Sequence, residues 1–167
     1  MTQVYLSIGS NIRREDNILS ALQRLFERFG CLSISTIYAS EAVGFDGPEF
    51  FNLAVGLQTD LDVHELAAWL RDVETEHGRT AADRGFTSRT LDLDLLLFDD
   101  LVTDGEGPEL PRGEITRQAF VLRPLAEIAG ECRHPVLGQT IAALWQEFDA
   151  SGLSMRPVDL PVDRFSC

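Results

Sequence analysis

The chain contains no lysine: all fourteen of its basic residues are arginine. That absence excludes a Walker-type phosphate loop and a protein-kinase arrangement, both of which place a lysine on the phosphates of a nucleotide. A nucleotide handled by this chain has to be held by arginine and metal. Positive charge is also scarce. Against 14 basic side chains stand 27 acidic ones, a formal net charge of −13, which weighs against nucleic acid or an anionic membrane as partner, since both require a basic surface. No run approaches the ~20 apolar residues of a membrane span. Met1-Thr2-Gln3-Val4-Tyr5 has no basic stretch leading into an apolar one, so no export signal is expected. Cysteine is sparse: Cys31, Cys132 and Cys167 lie without metal-type spacing. An odd number with no export signal reads as reduced thiols in the cytosol, and a cytoplasmic protein is expected.

What is present describes an ordinary folded domain. The 167 residues are 44% apolar and 25% charged, which suits one domain over residues 1–167 with a sufficient core. Val4 to Ile8 alternates and runs into the turn Gly9-Ser10-Asn11. Helical spacing of apolar residues follows from Asp16 to Phe29, stopped by Gly30. Leu32 to Tyr38 alternates as a second strand, residues 39–49 form a glycine- and acid-rich loop, and Phe50 to Thr59 reads as a third strand. A second helix spans about Asp62 to His77, residues 79–88 are a polar loop, and Thr90 to Phe98 is a fourth strand. The order β-α-β-β-α-β is the split pattern of ferredoxin-like α+β folds. Helices over Arg123 to Ala129 and Thr140 to Phe148 complete the pattern, with an irregular tail from Ala150.

The fourth strand carries the most chemistry. In Arg89-Thr90-Leu91-Asp92-Leu93-Asp94-Leu95 two aspartates lie two apart, so both project from one face and the leucines from the other. Carboxylates on an apolar strand need a cation or must neutralise. Mg²⁺, which takes one or two protein carboxylates and completes its shell with water and phosphate oxygens, answers that need. The plain alternative is an edge strand with two solvated aspartates. The preceding loop holds Arg79, Arg84 and Arg89 within eleven residues, and guanidinium forks suit phosphate oxygens. Glu74 and Glu76 stand in the last turn of the second helix, where acid opposes the helix dipole. A residue kept in so poor a local position points to function; the plain alternative is an ion pair with Arg71 or Arg79, the simpler account for Glu76 and an equal one for Glu74. A second constellation suits a flat aromatic ligand. Phe50 and Asn52 share a strand face, where a ring can stack and an amide can read a donor–acceptor edge. Phe86 and Phe120 are further candidate rings.

With these residues in place, the chain resembles the 6-hydroxymethyl-7,8-dihydropterin pyrophosphokinases of folate biosynthesis over about residues 4–130. The resemblance rests on Val4-Tyr5-Leu6-Ser7-Ile8-Gly9-Ser10-Asn11, on Gly44 and Pro48 ahead of Phe50-Phe51-Asn52, and on Glu74 with Gly78-Arg79. It extends to Arg89-Thr90-Leu91-Asp92-Leu93-Asp94 and to Phe120-Val121-Leu122-Arg123-Pro124-Leu125. It implies a ferredoxin-like core elaborated into a three-layer α-β-α sandwich. It also implies transfer of pyrophosphate from ATP to the pterin's hydroxymethyl group, giving AMP and the pterin diphosphate. Asp92 and Asp94 would hold two Mg²⁺. Arg79, Arg84 and Arg89, with Asp94, would be catalytic, and Glu74, Arg79, Arg89, Arg112 and Arg117 would lie on the ATP side. Ser40, Val43, Phe50, Asn52, Phe86 and Phe120 would contact the pterin. Substrates alone, with no nucleic acid or membrane, are the implied partners, in a monomer or weak homodimer. The chain departs from the family pattern at Pro111-Arg112-Gly113, where a Pro-His pair is usual. Further departures are Ala81 in place of a second loop arginine, Phe86 at a tryptophan position, Gln118 at a basic position and Phe50 at a tyrosine position. Ala81, Arg112 and Gln118 motivate an alternative reading, a catalytically altered pterin- or nucleotide-binding paralogue on the same fold.

Overall fold

Alternating side chains over Thr2–Ser10 form β1, the strand on which the sheet is built. The structure, a computed structural model, describes residues 1–41, 47–78 and 91–167. Helix α1, Arg14–Phe29, follows, with Glu15 and Asp16 in its first turn where acid complements the dipole. Gly30 ends α1 at φ 82°, a left-handed conformation that a glycine reaches without strain. Strands β2 (Ser33–Ile34), β3 (Ile37–Ser40) and β4 (Phe50–Thr59) come next, then α2, Val63–Glu76, started by a reciprocal capping box between Asp62 and Glu65. Strand β5 is Asp92–Phe98, followed by the short α3, Glu114–Arg117, then α4, Ala119–Ala129, and α5, Ile141–Glu147.

With β6, Met155–Val158, near the C-terminus, the strands lie in the order β5-β1-β4-β3-β6, with β2 also on β4, and neighbouring strands pair antiparallel. This is the ferredoxin-like order with one strand added. Two apolar clusters fix three layers. One joins Leu6, Ile8, Leu53, Val55 and Leu93 of the sheet to Ile18, Leu22 and Leu25 of α1 and Leu66, Leu70 and Val73 of α2. The other joins Ala54, Leu96 and Leu97 to Val121, Leu122 and Leu125 of α4 and Ile141 of α5. The α-β-α sandwich expected from the sequence is therefore present.

Four details correct the sequence reading. The single strand expected over Leu32–Tyr38 is two, because Ser35 breaks the ladder: its hydroxyl accepts from the Ala54 amide at 2.8 Å, and the neighbouring Thr36 amide donates to the Glu127 carboxylate at 2.9 Å. Helix α4 starts four residues before Arg123 and carries Pro124 inside it; burial of Val121, Leu122 and Leu125 outweighs the proline. The tail expected to be irregular contains β6, Met155–Val158, paired with β3, and a 3₁₀ turn, Asp163–Phe165, whose Phe165 is buried edge-on against Phe26. Cys31 and Cys167 are joined by a disulfide rather than reduced, with Cα atoms 5.3 Å apart, well within disulfide reach. Cys132 alone is a free thiol.

Candidate functional site

Register across three strands assembles the site. Gly9 of β1 pairs with Asn52 of β4 on one side and with Asp92 of β5 on the other; two residues along, Ser7 pairs with Ala54 and Asp94. Paired residues share a face, so Asn52, Gly9 and Asp92 form one row and Ala54, Ser7 and Asp94 the next. With strands about 4.8 Å apart, Asn52 and Asp92 stand roughly 10 Å from each other. The floor between them is glycine. A Cβ on Gly9 would lie 2.8 Å from Asn52 Oδ1, closer than carbon and oxygen tolerate.

Asn52 is buried and donates through Nδ2 to the hydroxyl of Ser40, also buried, at 3.3 Å. The register places Ser40 opposite Phe50, and Phe50 is half-buried at the start of β4. Extending this row, Tyr38 pairs with Asn52 in the ladder; it donates to the Glu127 carboxylate, and the Arg123 guanidinium carbon lies 4.5 Å from its ring centroid, contacts that fasten α4 to β3. Phe120, one turn before Arg123 on α4, packs against the second apolar cluster.

On the other side of Gly9, the Asp92 and Asp94 side chains project from the same face of β5, as the alternation implies, while Leu93 and Leu95 are buried on the opposite face. Strand β5 pairs only with β1 among the described residues, so the edge-strand part of the plain reading holds. Full solvation does not. Burial, and then the neighbouring Asp92 charge, push the Asp94 carboxyl up to about 8; Arg112 opposes the shift and Glu74 adds to it. Desolvation and a like charge alongside both disfavour the ionised form of a carboxyl. Glu74 is buried in the last full turn of α2 and accepts the Leu93 amide at 2.8 Å through Oε2, bracing β5 between its two aspartates. Glu76 forms an ion pair, with Arg24 at 2.8 Å rather than with Arg71.

A chain of charges leads away from Asp94. Arg112 Nη2 is 3.3 Å from Asp94 Oδ1, Arg112 Nε is 2.8 Å from Glu114 Oε2, and Arg117 Nη2 is 3.9 Å from Glu114 Oε1. The Arg112 amide donates to the Leu96 carbonyl at 3.1 Å, tying this segment to β5. Arg112 also borders a cleft of about 410 Å³ lined by Val102, Leu110, Thr116 and His134, which does not include the aspartates or Asn52. No group of three or more His, Cys, Asp or Glu side chains converges to hold a metal among the described residues. Two carboxylates with oxygen-only chemistry and room for substrate oxygens fit Mg²⁺, which rarely uses a protein cage.

The structure thus brings Ser40, Asn52, Phe50, Asp92, Asp94, Glu74 and Arg112 to one end of the sheet, with Arg117 linked through Glu114 and Phe120 in the covering helix layer. Val43, Arg79, Arg84, Phe86 and Arg89 lie outside the described residues. Sequence reasoning gave no role to Glu114 or Gly9. The alternation of Arg112, Glu114 and Arg117 is a visible signal for the first, and the β1–β4–β5 register, which no single segment contains, is the signal for the second.

Comparison with known proteins agrees with this geometry. Residues 5–130 match the family model described as 7,8-dihydro-6-hydroxymethylpterin-pyrophosphokinase. The chain is 35% identical over 137 residues to the 2-amino-4-hydroxy-6-hydroxymethyldihydropteridine pyrophosphokinase of Pseudomonas aeruginosa, covering 80% of this chain and 84% of that one. The Bacillus subtilis protein of the same name is 35% identical over 128 residues, covering 74% and 76%. The chain is also 33% identical over 148 residues to the folic acid synthesis protein fol1 of Pneumocystis carinii; the match covers 86% of this chain but spans only 20% of that longer protein. Among solved structures, the wild-type Plasmodium falciparum HPPK-DHPS with SDX-DHP superposes with a TM-score of 0.64 at 15% identity, covering 88% of this chain and 43% of that one. At that identity the likeness speaks for the fold alone.

Proposed function

Because the chain belongs to the 7,8-dihydro-6-hydroxymethylpterin-pyrophosphokinase family, we propose that it transfers pyrophosphate from ATP to the hydroxymethyl group of 6-hydroxymethyl-7,8-dihydropterin. The observation that carries this reading is the row Asn52–Gly9–Asp92, which sets an amide suited to a pterin edge and a carboxylate suited to a metal on either side of a side-chain-free floor. Asn52, steadied by Ser40, reads the donor–acceptor edge of the ring. Phe50 and Phe120 offer stacking surface, and Val43 and Phe86 are assigned to the same ligand. A ring held in this way directs its hydroxymethyl group toward Asp92.

The hydroxymethyl oxygen attacks the β-phosphorus of ATP. The bond from that phosphorus to the oxygen bridging α and β breaks, AMP leaves with that oxygen, and the hydroxyl proton is released. Asp92 and Asp94 would hold two Mg²⁺, whose charge stabilises the phosphate oxygens as the bond order changes. Arg79, Arg84 and Arg89 are assigned to the transferring phosphates, where guanidinium groups neutralise developing charge. Arg112 and Arg117 are assigned to the nucleotide side, and Glu74 serves it through the strand that it braces.

Incubating the protein with ATP, Mg²⁺ and the pterin alcohol, and separating the nucleotides by chromatography, tests the proposal. Pterin-dependent AMP is expected. ADP as the product would overturn it, and calorimetric binding of both substrates without any AMP would identify a binding paralogue instead.

A further inference from the structure

We propose that Arg112 is an internal counter-cation of the metal site, paired with both Asp94 and Glu114 while metal is absent and released from Asp94, keeping Glu114, when Mg²⁺ enters. The proposal rests on the Mg²⁺ reading of Asp92 and Asp94 given above. Its own foundation is the ion pair itself: Arg112 Nη2 stands 3.3 Å from Asp94 Oδ1, and among the described residues no other cationic side chain is within ion-pair distance of Asp94. Both side chains are about 30% exposed, at 30% and 28%, so water screens the contact only in part. The guanidinium and Mg²⁺ want the same carboxylate oxygen and repel each other. An ion that demands near-octahedral contacts at about 2.0–2.1 Å cannot share Oδ1 with a guanidinium beside it.

Displacement is made easy by the neighbouring residue. Arg112 Nε is already 2.8 Å from Glu114 Oε2, so the arginine leaves Asp94 without being left half-buried and unpaired, the outcome that makes breaking such pairs costly. The Arg112 backbone stays anchored by its amide on the Leu96 carbonyl, 3.1 Å away. Only the side chain has to swing, between Asp94 and the Glu114–Arg117 side. That side is where an anionic substrate would meet two guanidinium groups. Metal entry therefore frees a cation for the nucleotide phosphates, and nucleotide binding favours metal in return, since coupling between two ligands is reciprocal. Arg112 acts here as a positioning residue.

Calorimetric titration with MgCl₂ alone, without nucleotide or pterin, reads the competition directly. Arg112→Ala is expected to bind Mg²⁺ at least about fivefold more tightly than wild type, and Arg112→Lys, which keeps the charge but not the fork, to bind it less tightly than Arg112→Ala. Far-UV circular dichroism establishes that each variant is folded; if Arg112→Ala is not, Arg112→Gln is titrated in its place. Equal or weaker Mg²⁺ binding by the neutral variant overturns the proposal and leaves the metal site standing. Absence of Mg²⁺ uptake by wild type and variants alike overturns the proposal together with the metal reading.

Discussion

Gly9 is the residue on which the two halves of the site depend. Any side chain there would rise between Asn52 and Asp92, and even one methyl group would meet Asn52 Oδ1 at 2.8 Å. The hydrogen bond from Asn52 to Ser40 fixes the amide in the position where the clash occurs. Gly9→Ala is therefore expected to weaken pterin binding by about tenfold or more while destabilising the fold by only about 1–3 kcal/mol, the usual cost of an inserted methyl group in a packed place. Calorimetry with the pterin and a thermal melt separate the two effects; unchanged affinity would show that Asn52 does not read the ring. His134 illustrates a residue whose chemistry is structural. Buried beside the cleft, it accepts the Val136 and Leu137 amides on Nδ1 at 3.3 and 3.1 Å, and burial lowers its pKa. A lowered pKa means that the fold prefers the neutral ring. Its contribution is complete above the unfolded value of about 6.5 and is lost as pH falls through the folded value. Urea unfolding from about pH 7 down to about 5.5 should show wild type losing stability more steeply than His134→Asn, which keeps an acceptor but no titration.

At the scale of elements, β5 carries the chemistry but is held by β1 on only one flank among the described residues. Glu74 of α2 supplies a second hold by accepting the Leu93 amide at 2.8 Å. Glu74→Ala leaves that buried amide without this acceptor, and a loss of about 1–3 kcal/mol in unfolding free energy is expected. Faster hydrogen exchange at Leu93 and its β5 neighbours, but not in β4, would localise the effect; uniform exchange would argue against a brace on β5. The same elements show what the sequence makes legible. Strand β4 was readable to both ends, because Phe51, Leu53, Val55 and Leu57 alternate with Asn52, Ala54, Gly56 and Gln58 after the break at Gly47-Pro48, and α2 was readable from Asp62 and Glu65, whose capping box is local. The split of β2 from β3 was not readable, since Ser35 breaks the ladder through Ala54, nineteen residues away. Asp92, Asp94 and Asn52 were legible as chemistry because an acid or an amide is out of place on an apolar strand. Glu74 looked like a nucleotide contact, and its bond to Leu93 needed the packing of α2 on β5 to be seen. The partner of Arg112 was equally hidden, because nothing local relates positions 94 and 112.

For the whole molecule, the disulfide is the feature with the longest reach. It joins Cys31, just past α1, to Cys167, closing a separation of 136 residues. The last residues are already seated: Phe165 is buried in the core shared with α1, and the Leu32 amide donates to the Phe165 carbonyl at 2.9 Å. The bond fastens a tail whose strand β6 lines the β3 edge, where Ser40 pairs with Met155 and Ala39 with Arg156, and Arg156 reaches Glu49 at 3.1 Å just ahead of Phe50. The tail therefore borders the Ser40–Asn52 half of the site while lying outside the matched family region of residues 5–130. Thiol titration of denatured, unreduced protein should find one free cysteine, Cys132, rather than three. Reduction, or Cys167→Ser, should lower stability by about 2–4 kcal/mol, because the unfolded chain regains the freedom that a long closed loop denies it. In a domain of this size that corresponds to a melting temperature lower by about 5–15 °C. The loss should be accompanied by weaker pterin binding with little change in binding of ATP, since β6 borders β3 and not β5. Three titratable thiols in air-oxidised protein would refute the bond, and equal losses of pterin and ATP affinity on reduction would refute the link from the tail to the pterin side.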